Sequence, residues 1–329
     1  MAIQTEKIIN LVITEGQRKQ RIDSYLANCL ENTTRSRVQK LIKNNLVFVN
    51  NEAVKSNYII LPKDQIKITI PVSPRPDKIE PEDIPLKIIY EDDYLIILDK
   101  PAGMVVHPSY GNYTSTMVHA LLHHTKNLSS FNGDYRAGIV HRIDKDTTGL
   151  LVIAKNEEVH SHLAKQFAAK STEREYWAVC WGKFKDSSGE IIANIARSKT
   201  DRKLFSVSES DGKSAHTIYS VIEEFDFLTL VKLKLMTGRT HQIRVHLAHI
   251  KHNIFGDPTY GGRRINYGFE LPKIKARVSN LLEIINRQTL HAKTLGFIHP
   301  ITNEKMSFTS ELPEDFLNLL QELRRQQKL

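Results

Sequence analysis

Five of the chain's twelve prolines, Pro71, Pro74, Pro76, Pro81 and Pro85, fall within one short stretch. Each proline fixes its own φ and removes a backbone donor, so such a run can continue neither a helix nor a central strand. It reads as a stiff, extended linker. The chain of 329 residues is therefore expected to fold as two bodies: a small domain over 18–71, a linker over 72–85, and a larger domain over 86–329. That division suits domains of ~100–200 residues or somewhat less. With 40% hydrophobic and 25% charged residues, a core of this size needs no disulfide or metal to hold it.

The formal net charge of +9 favours a polyanionic partner, either nucleic acid or an acidic membrane. Cys29 and Cys180 are the only cysteines, which argues against a disulfide framework and a structural zinc site. The opening residues lack the charged-then-apolar order of a signal peptide. No run approaches the ~18 apolar residues of a membrane span. A cytoplasmic location, no membrane partner, no metal and no cofactor are the expectations.

In the first body, Ile22, Leu26 and Leu30 recur at helical spacing, which predicts an amphipathic helix over Arg21–Glu31. Thr34 is a candidate cap for a second helix with Val38, Leu41 and Ile42 on one side. That helix also carries Arg35, Arg37, Lys40 and Lys43, which it can present to phosphates. Leu46–Asn50 alternates as a strand, Asn50-Asn51-Glu52 turns, and Gln65–Ile70 forms another strand. The R-I-D-S-Y-L start, the S-R-V-Q-K-L-I helix and the V-F-V-N-N-E turn together resemble the S4 RNA-binding module. A small accessory domain with a solvated basic helix is the plainer alternative.

The second body is richer in strands. Leu86–Tyr90, Tyr94–Asp99, Gly149–Ala154 and Leu228–Leu235 are strand candidates, the last with Leu233 and Leu235 opposite Lys232 and Lys234. Asn156 is placed to cap a helix with Val159, Leu163 and Phe167 inward. Strict alternation of strand and helix is missing, so a mixed α+β sheet is expected.

Chemistry concentrates at residues 141–155, H-R-I-D-K-D-T-T-G-L-L-V-I-A-K. Polar residues stand directly before an apolar strand, a common place for a catalytic side chain. Read locally, D-K-D-T-T-G is also simply a good turn. The whole segment resembles the signature of the RluA/RluD family of pseudouridine synthases. So do K-P-A-G-M-V-V-H-P at 100–108, R-E-Y-W-A at 174–178 and G-R-T-H-Q-I-R-V-H at 238–246, in the family's order. G-D-P-T-Y-G at 256–261 and L-H-A at 290–292 are lesser matches. Ile143 stands where the family usually has Leu, and Thr148 where Ser is common; neither change removes a functional group.

The resemblance implies an α+β protein: a small S4-like N-terminal domain and a larger synthase domain on a mixed, mainly antiparallel sheet. It implies isomerisation of uridine to pseudouridine, in which the N1–C1′ bond breaks, the base turns, and C5 joins C1′. Positive character on the sugar calls for a carboxylate, as nucleophile, electrostatic partner or base. Motif alignment puts Asp144 in that role, with Asp146 as the local rival. By the same resemblance Arg142 fills the space left by a flipped base, although an ordinary phosphate contact would also suit it. Tyr176 matches a tyrosine that stacks on uracil and assists proton removal at C5, where a lone tyrosine would otherwise read as core. Arg244 matches a basic residue that pairs with the catalytic aspartate.

Arg244 is placed beside an inner helical stripe of Ile243, Leu247 and Ile250, at the boundary of the core. Arg239 is a backbone contact to RNA. His241, His246 and His249 have metal-like spacing but lack acidic or thiol companions, so packing or hydrogen bonding is the preferred reading. Lys100, His107 and His291 are given no chemistry. The implied partner is RNA, with large-subunit (23S) ribosomal RNA preferred over transfer RNA, bound by a monomer. A non-catalytic RNA-binding protein of the same fold would have lost Asp144, Tyr176 or Arg244; all are present.

Overall fold

A computed structural model describes residues 5–30, 33, 35–72, 78–109, 111–198, 204–266 and 272–327. Thr34, Pro74 and Pro76 lie outside the described residues, as do the side chains of Arg37 and Pro71. The chain divides into two compact units, the described part of the second beginning at Lys78.

The first unit holds β1 (Thr5–Val12), α1 (Ile22–Cys29), α2 (Arg35–Lys43), β2 (Val47–Val49), β3 (Glu52–Ala53) and β4 (Gln65–Val72). Its sheet has the order β1-β4-β2-β3. β1 pairs antiparallel with the whole of β4, a strand that no local pattern before Arg18 suggested. Asn50 and Asn51 both take positive φ at the β2–β3 turn, the backbone that a two-residue hairpin demands and that Asn tolerates. Ile22, Leu26, Val38 and Ile42 from the helices close a core with Val47, Ile66 and Ile68 of the sheet.

The second unit contains β5 (Ile88–Glu91), β6 (Leu95–Lys100), α3 (Met117–His124), β7 (Thr148–Ala154), α4 (Glu157–Ala169) and β8 (Glu173–Trp181). These are followed by β9 (Ser188–Arg197), β10 (Phe205–Ser208), β11 (Lys213–Glu224), β12 (Leu228–Leu235) and α5 (Gln242–His249). Then come α6 (Pro272–Ile284), β13 (Leu290–Ile298), β14 (Lys305–Thr309) and α7 (Glu314–Gln327). One ten-stranded sheet runs β10-β9-β11-β12-β8-β13-β7-β6-β5, with β14 beside β13. β13 lies parallel to β7, while β8–β12, β8–β13, β6–β7 and β11–β12 pair antiparallel. The expected mixed, mainly antiparallel α+β sheet is present.

Both faces of its centre are covered. Leu151 and Ile153 of β7 pack on one side with Tyr176, Leu233 and Ile243, and Leu150 and Val152 pack on the other with Val159 and Leu163 of α4. Asn156 caps α4, its Oδ1 accepting the Val159 N–H at 2.9 Å. β12 keeps the expected alternation, with Leu233 and Leu235 buried and Lys232 and Lys234 exposed. The described end of the proline-rich stretch lies against this unit: Ile79 and Leu86 pack on its core, and the Glu82 N–H donates to the His119 carbonyl at 3.1 Å. No helix among the described residues is long and apolar enough to cross a membrane.

Candidate active site

Asp144 stands in a tight turn immediately before β7. The Thr147 N–H donates to the Asp144 carbonyl at 3.1 Å, so the turn read from D-K-D-T is real and carries the carboxylate. Buried cations hold its outer carbonyls. Lys100 Nζ donates to Lys145 O at 2.8 Å, and Arg287 Nη1 donates to Asp146 O at 3.2 Å. On the entry side, the Val152 N–H donates to His141 Nε2 at 3.1 Å; burial, then the charge of Arg174, pushes His141 down to about 3. Gly149 lets β13 approach: at φ +112°, an added Cβ would lie 2.2 Å from the Ala292 carbonyl oxygen.

The turn opens on a cleft of about 460 Å³ lined by residues that include Arg142, Asp144, Arg174, Tyr176, Arg239 and Arg244. A smaller cavity of about 280 Å³ adjoins it and shares Arg142, Asp144, His241 and Arg244. Asp146 lines only the smaller one.

Arg244 Nη1 donates to Asp144 Oδ2 at 3.1 Å. The same guanidinium forms a bidentate pair with Asp257, Nε to Oδ2 at 2.7 Å and Nη2 to Oδ1 at 2.9 Å. Burial alone would lower the Arg244 pKa, but its bonds to Asp257 and the charges of Asp257 and Asp144 raise it, so it remains a cation. Asp257 is a partner that was not expected, and the depth of Arg244 also differs from expectation. Arg244 is 5% exposed rather than at a core boundary, and Gln242 and His246 on the other faces of α5 are buried as well. Gln242 bonds with Thr237 and Thr217 and His246 through Nδ1 with Thr217, which is how polar side chains can be buried on more than one face of a short helix.

Asp257 was within reach of sequence reasoning only as part of the G-D-P-T-Y-G match, which gave it no role. His241, a second neighbour, has its Nε2 3.9 Å from Asp144 Oδ2 and its Nδ1 2.8 Å from the Tyr260 hydroxyl. Burial lowers its pKa against the pull of Asp144. His249 is exposed, and no group of three or more metal-ligating side chains occurs among the described residues.

Tyr176, on β8, is buried with its ring on the cleft wall; burial raises its pKa, so its hydroxyl keeps its proton. Arg142 is exposed at the rim, with Nη1 3.5 Å from His107 Nε2. Arg239 is exposed and donates through Nε to Ser214 O at 3.1 Å. In the first unit, Lys40 is exposed on α2, and Arg35 donates through Nε to Asp23 Oδ2 at 3.1 Å.

An aspartate held by an arginine lines a cleft rich in arginine, and the chain as a whole matches two known families. It matches the RNA pseudouridylate synthase family over residues 94–249 and the S4 domain over residues 20–66. The chain belongs to the RNA pseudouridine synthases of the RluA/RluD type and is an isomerase of that class.

Among individual relatives, it is 46% identical over 323 residues to an uncharacterized RNA pseudouridine synthase of Chlorobaculum parvum, covering 96% of this chain and 98% of that one. It is 42% identical over 310 residues to the ribosomal large subunit pseudouridine synthase D of Zymomonas mobilis, covering 93% and 94%. Among solved structures, human RNA pseudouridylate synthase domain containing 4 shares the fold at a TM-score of 0.53 and 23% identity, over 72% of this chain and 93% of that chain.

Proposed function

We propose that this protein converts uridine to pseudouridine in large-subunit (23S) ribosomal RNA, with Asp144 as the single working carboxylate. The observation that carries the reading is the asymmetry of Asp144. Its Oδ2 is engaged by Arg244, whereas Oδ1 has no hydrogen-bond partner among the described residues and belongs to a side chain lining the cleft. An oriented carboxylate with one oxygen left without a partner suits a sugar carbon that is losing its base. Asp146, lining only the smaller cavity, is less well placed.

In this reading the target base flips out of its stack into the cleft, a cost of a few kcal/mol that is least in loops. Arg142 at the rim fills the vacated space, and Tyr176 stacks on the uracil, a contact worth ~1–3 kcal/mol. Arg239 meets backbone phosphate. Residues 18–71 form an RNA-binding domain that uses Arg35, Arg37 and Lys40, joined through 72–85 to the catalytic domain over 86–329. The ribosomal target rests on the relatives named for the large subunit.

Asp144→Asn is the test. The variant is expected to abolish tritium release from RNA labelled at uracil C5 while binding RNA as before. Retained release, lost instead in Asp146→Asn, would move the role to Asp146. Mapping pseudouridines in ribosomal RNA from cells with and without the protein tests the target.

A further inference from the structure

Arg174 lies two residues before Tyr176 on β8, so the two side chains project from one face of the sheet, side by side on the cleft wall. Arg174 is 8% exposed. A guanidinium has five N–H donors, and only one has a hydrogen-bond acceptor among the described residues: Nη2 donates to Leu235 O at 3.2 Å. Nε is shut away from solvent, with no partner among those residues. The ring of Phe167 lies 5.5 Å from the guanidinium carbon, a favourable but uncharged neighbour. Among the described residues no carboxylate pairs with it, and burial pushes its pKa down. A cation out of water without a counter-charge is strongly unfavourable, so something that enters the cleft is required to complete it.

The reaction supplies that partner. When the N1–C1′ bond breaks, its electron pair stays on N1, and the base becomes a uracil anion with charge shared over N1, O2 and O4. C1′ is left electron-poor. Two charges of opposite sign therefore develop a few ångströms apart and need different partners. The cluster of Asp144, Arg244 and Asp257 sums to one negative charge and suits the sugar. Arg244, committed to two carboxylates, is not available to the base. Arg142, Lys170 and Arg239 are exposed at the rim, where they suit phosphates. Gly238 leaves room for the remaining cation: a Cβ there would lie 3.1 Å from Arg174 Nη1.

We propose that Arg174 is a further catalytic residue, a buried donor that meets the carbonyl oxygens of the uracil anion while the uracil ring lies against Tyr176. This rests on the roles given above to Asp144 and Tyr176. The step balances without any outside reagent. The anion turns and its electron pair bonds C5 to C1′, which consumes both charges; the C5 proton then leaves and N1 gains one, so the charge is unchanged and the conjugated ring is restored.

The test is single-turnover consumption of the target nucleoside by wild type, Arg174→Gln, Arg174→Lys and Asp144→Asn, on RNA carrying uridine or 5-fluorouridine at the target position. Fluorine stabilises the departing anion, so it reduces the need for a cation. Arg174→Gln is expected to slow uridine consumption about 100–1,000-fold, the loss typical of removing one donor to a developing anion, with little change in RNA affinity. On 5-fluorouridine that loss is expected to shrink by roughly tenfold or more, and Arg174→Lys is expected to recover part of it.

A purely structural role would give the same loss on both RNAs, and that result overturns the proposal. So does an Arg174→Gln rate within about threefold of wild type on uridine. If Arg174→Gln melts early, the charge-preserving Arg174→Lys decides by the same comparison of the two RNAs. Activity retained by Asp144→Asn beside a slow Arg174→Gln would sink the assignment of Asp144 and leave that of Arg174 standing.

Discussion

Asp257, with no side-chain exposure, fixes the direction in which Arg244 points. Two of the three guanidinium nitrogens are spent on Asp257, and Asp257 Oδ1 is itself held by the N–H groups of Thr259 and Tyr260 at 2.8 and 3.1 Å. Because the fork is planar, this grip determines where Nη1 lies, and Nη1 is the nitrogen that reaches Asp144. Asp257→Asn removes the charge at nearly constant volume and leaves a buried cation short of its partner. It is expected to lower stability by ~3–5 kcal/mol, read as a lower midpoint in urea at an unchanged slope. Turnover should fall with it while RNA affinity holds. An unaltered midpoint would mean that Asp257 does not anchor the site.

Legibility in the sequence followed the range of the interaction. Asn156 and Val159 are three residues apart, and the alternation of Leu233 and Leu235 with Lys232 and Lys234 lies within one strand; both could be read from local pattern. β1 could not, because its pairing lies with β4 far along the chain, and register of that kind leaves no local trace. The turn at Asp144 was readable as a turn, but its neighbours come from four other segments, at Lys100, Tyr176, Arg244 and Arg287. Motif order, not spacing, brought the first three into view. Arg244 was expected to be paired, yet its depth was misjudged because helical periodicity assumes that polar residues face water. On α5, Gln242, Arg244 and His246 are buried with partners instead.

Asp23 provides a test in which charge and geometry predict opposite signs. Its buried carboxylate accepts from Arg21 at 3.1 and 3.0 Å, from Arg35 at 3.1 Å and from Gln39 at 2.8 Å. Burial alone would raise its pKa, but these bonds hold it below the ordinary carboxylate range. The two arginines are about half exposed, so Asp23 aims cations that still face solvent. Asp23→Asn makes the protein more positive, and simple attraction to RNA would then increase. If orientation matters more, affinity should fall roughly fivefold, about the value of one ordinary hydrogen bond. The slope of log affinity against log salt should also flatten by ~0.7–0.9 for each phosphate that is no longer neutralised. Tighter binding by the variant would rule out the orienting role.

Lys100 links the Asp144 turn to pH. Its Nζ donates to the carbonyls of Pro101, Met104 and Lys145 at 2.6, 3.0 and 2.8 Å, so three N–H groups serve three acceptors. Burial pushes its pKa from 10.5 down to about 7, with Asp146 pulling the other way. Between those values the unfolded chain keeps a proton that the folded protein has released. Stability should therefore rise with pH across that window, by at most ~1.4 kcal/mol per unit, and become independent of this group below it, where both states are protonated. Lys100→Met removes the titration, so the stability of wild type minus that of the variant should climb from about pH 7 upward; a flat difference would refute the linkage. Turnover should respond in the opposite sense. A neutral amine offers two N–H groups to three carbonyls, so the turn that carries Asp144 loosens as the proton leaves. Wild-type turnover attributable to Lys100 should thus decline over the same pH range in which the fold gains stability, a pairing of signs that general base-driven unfolding would not produce.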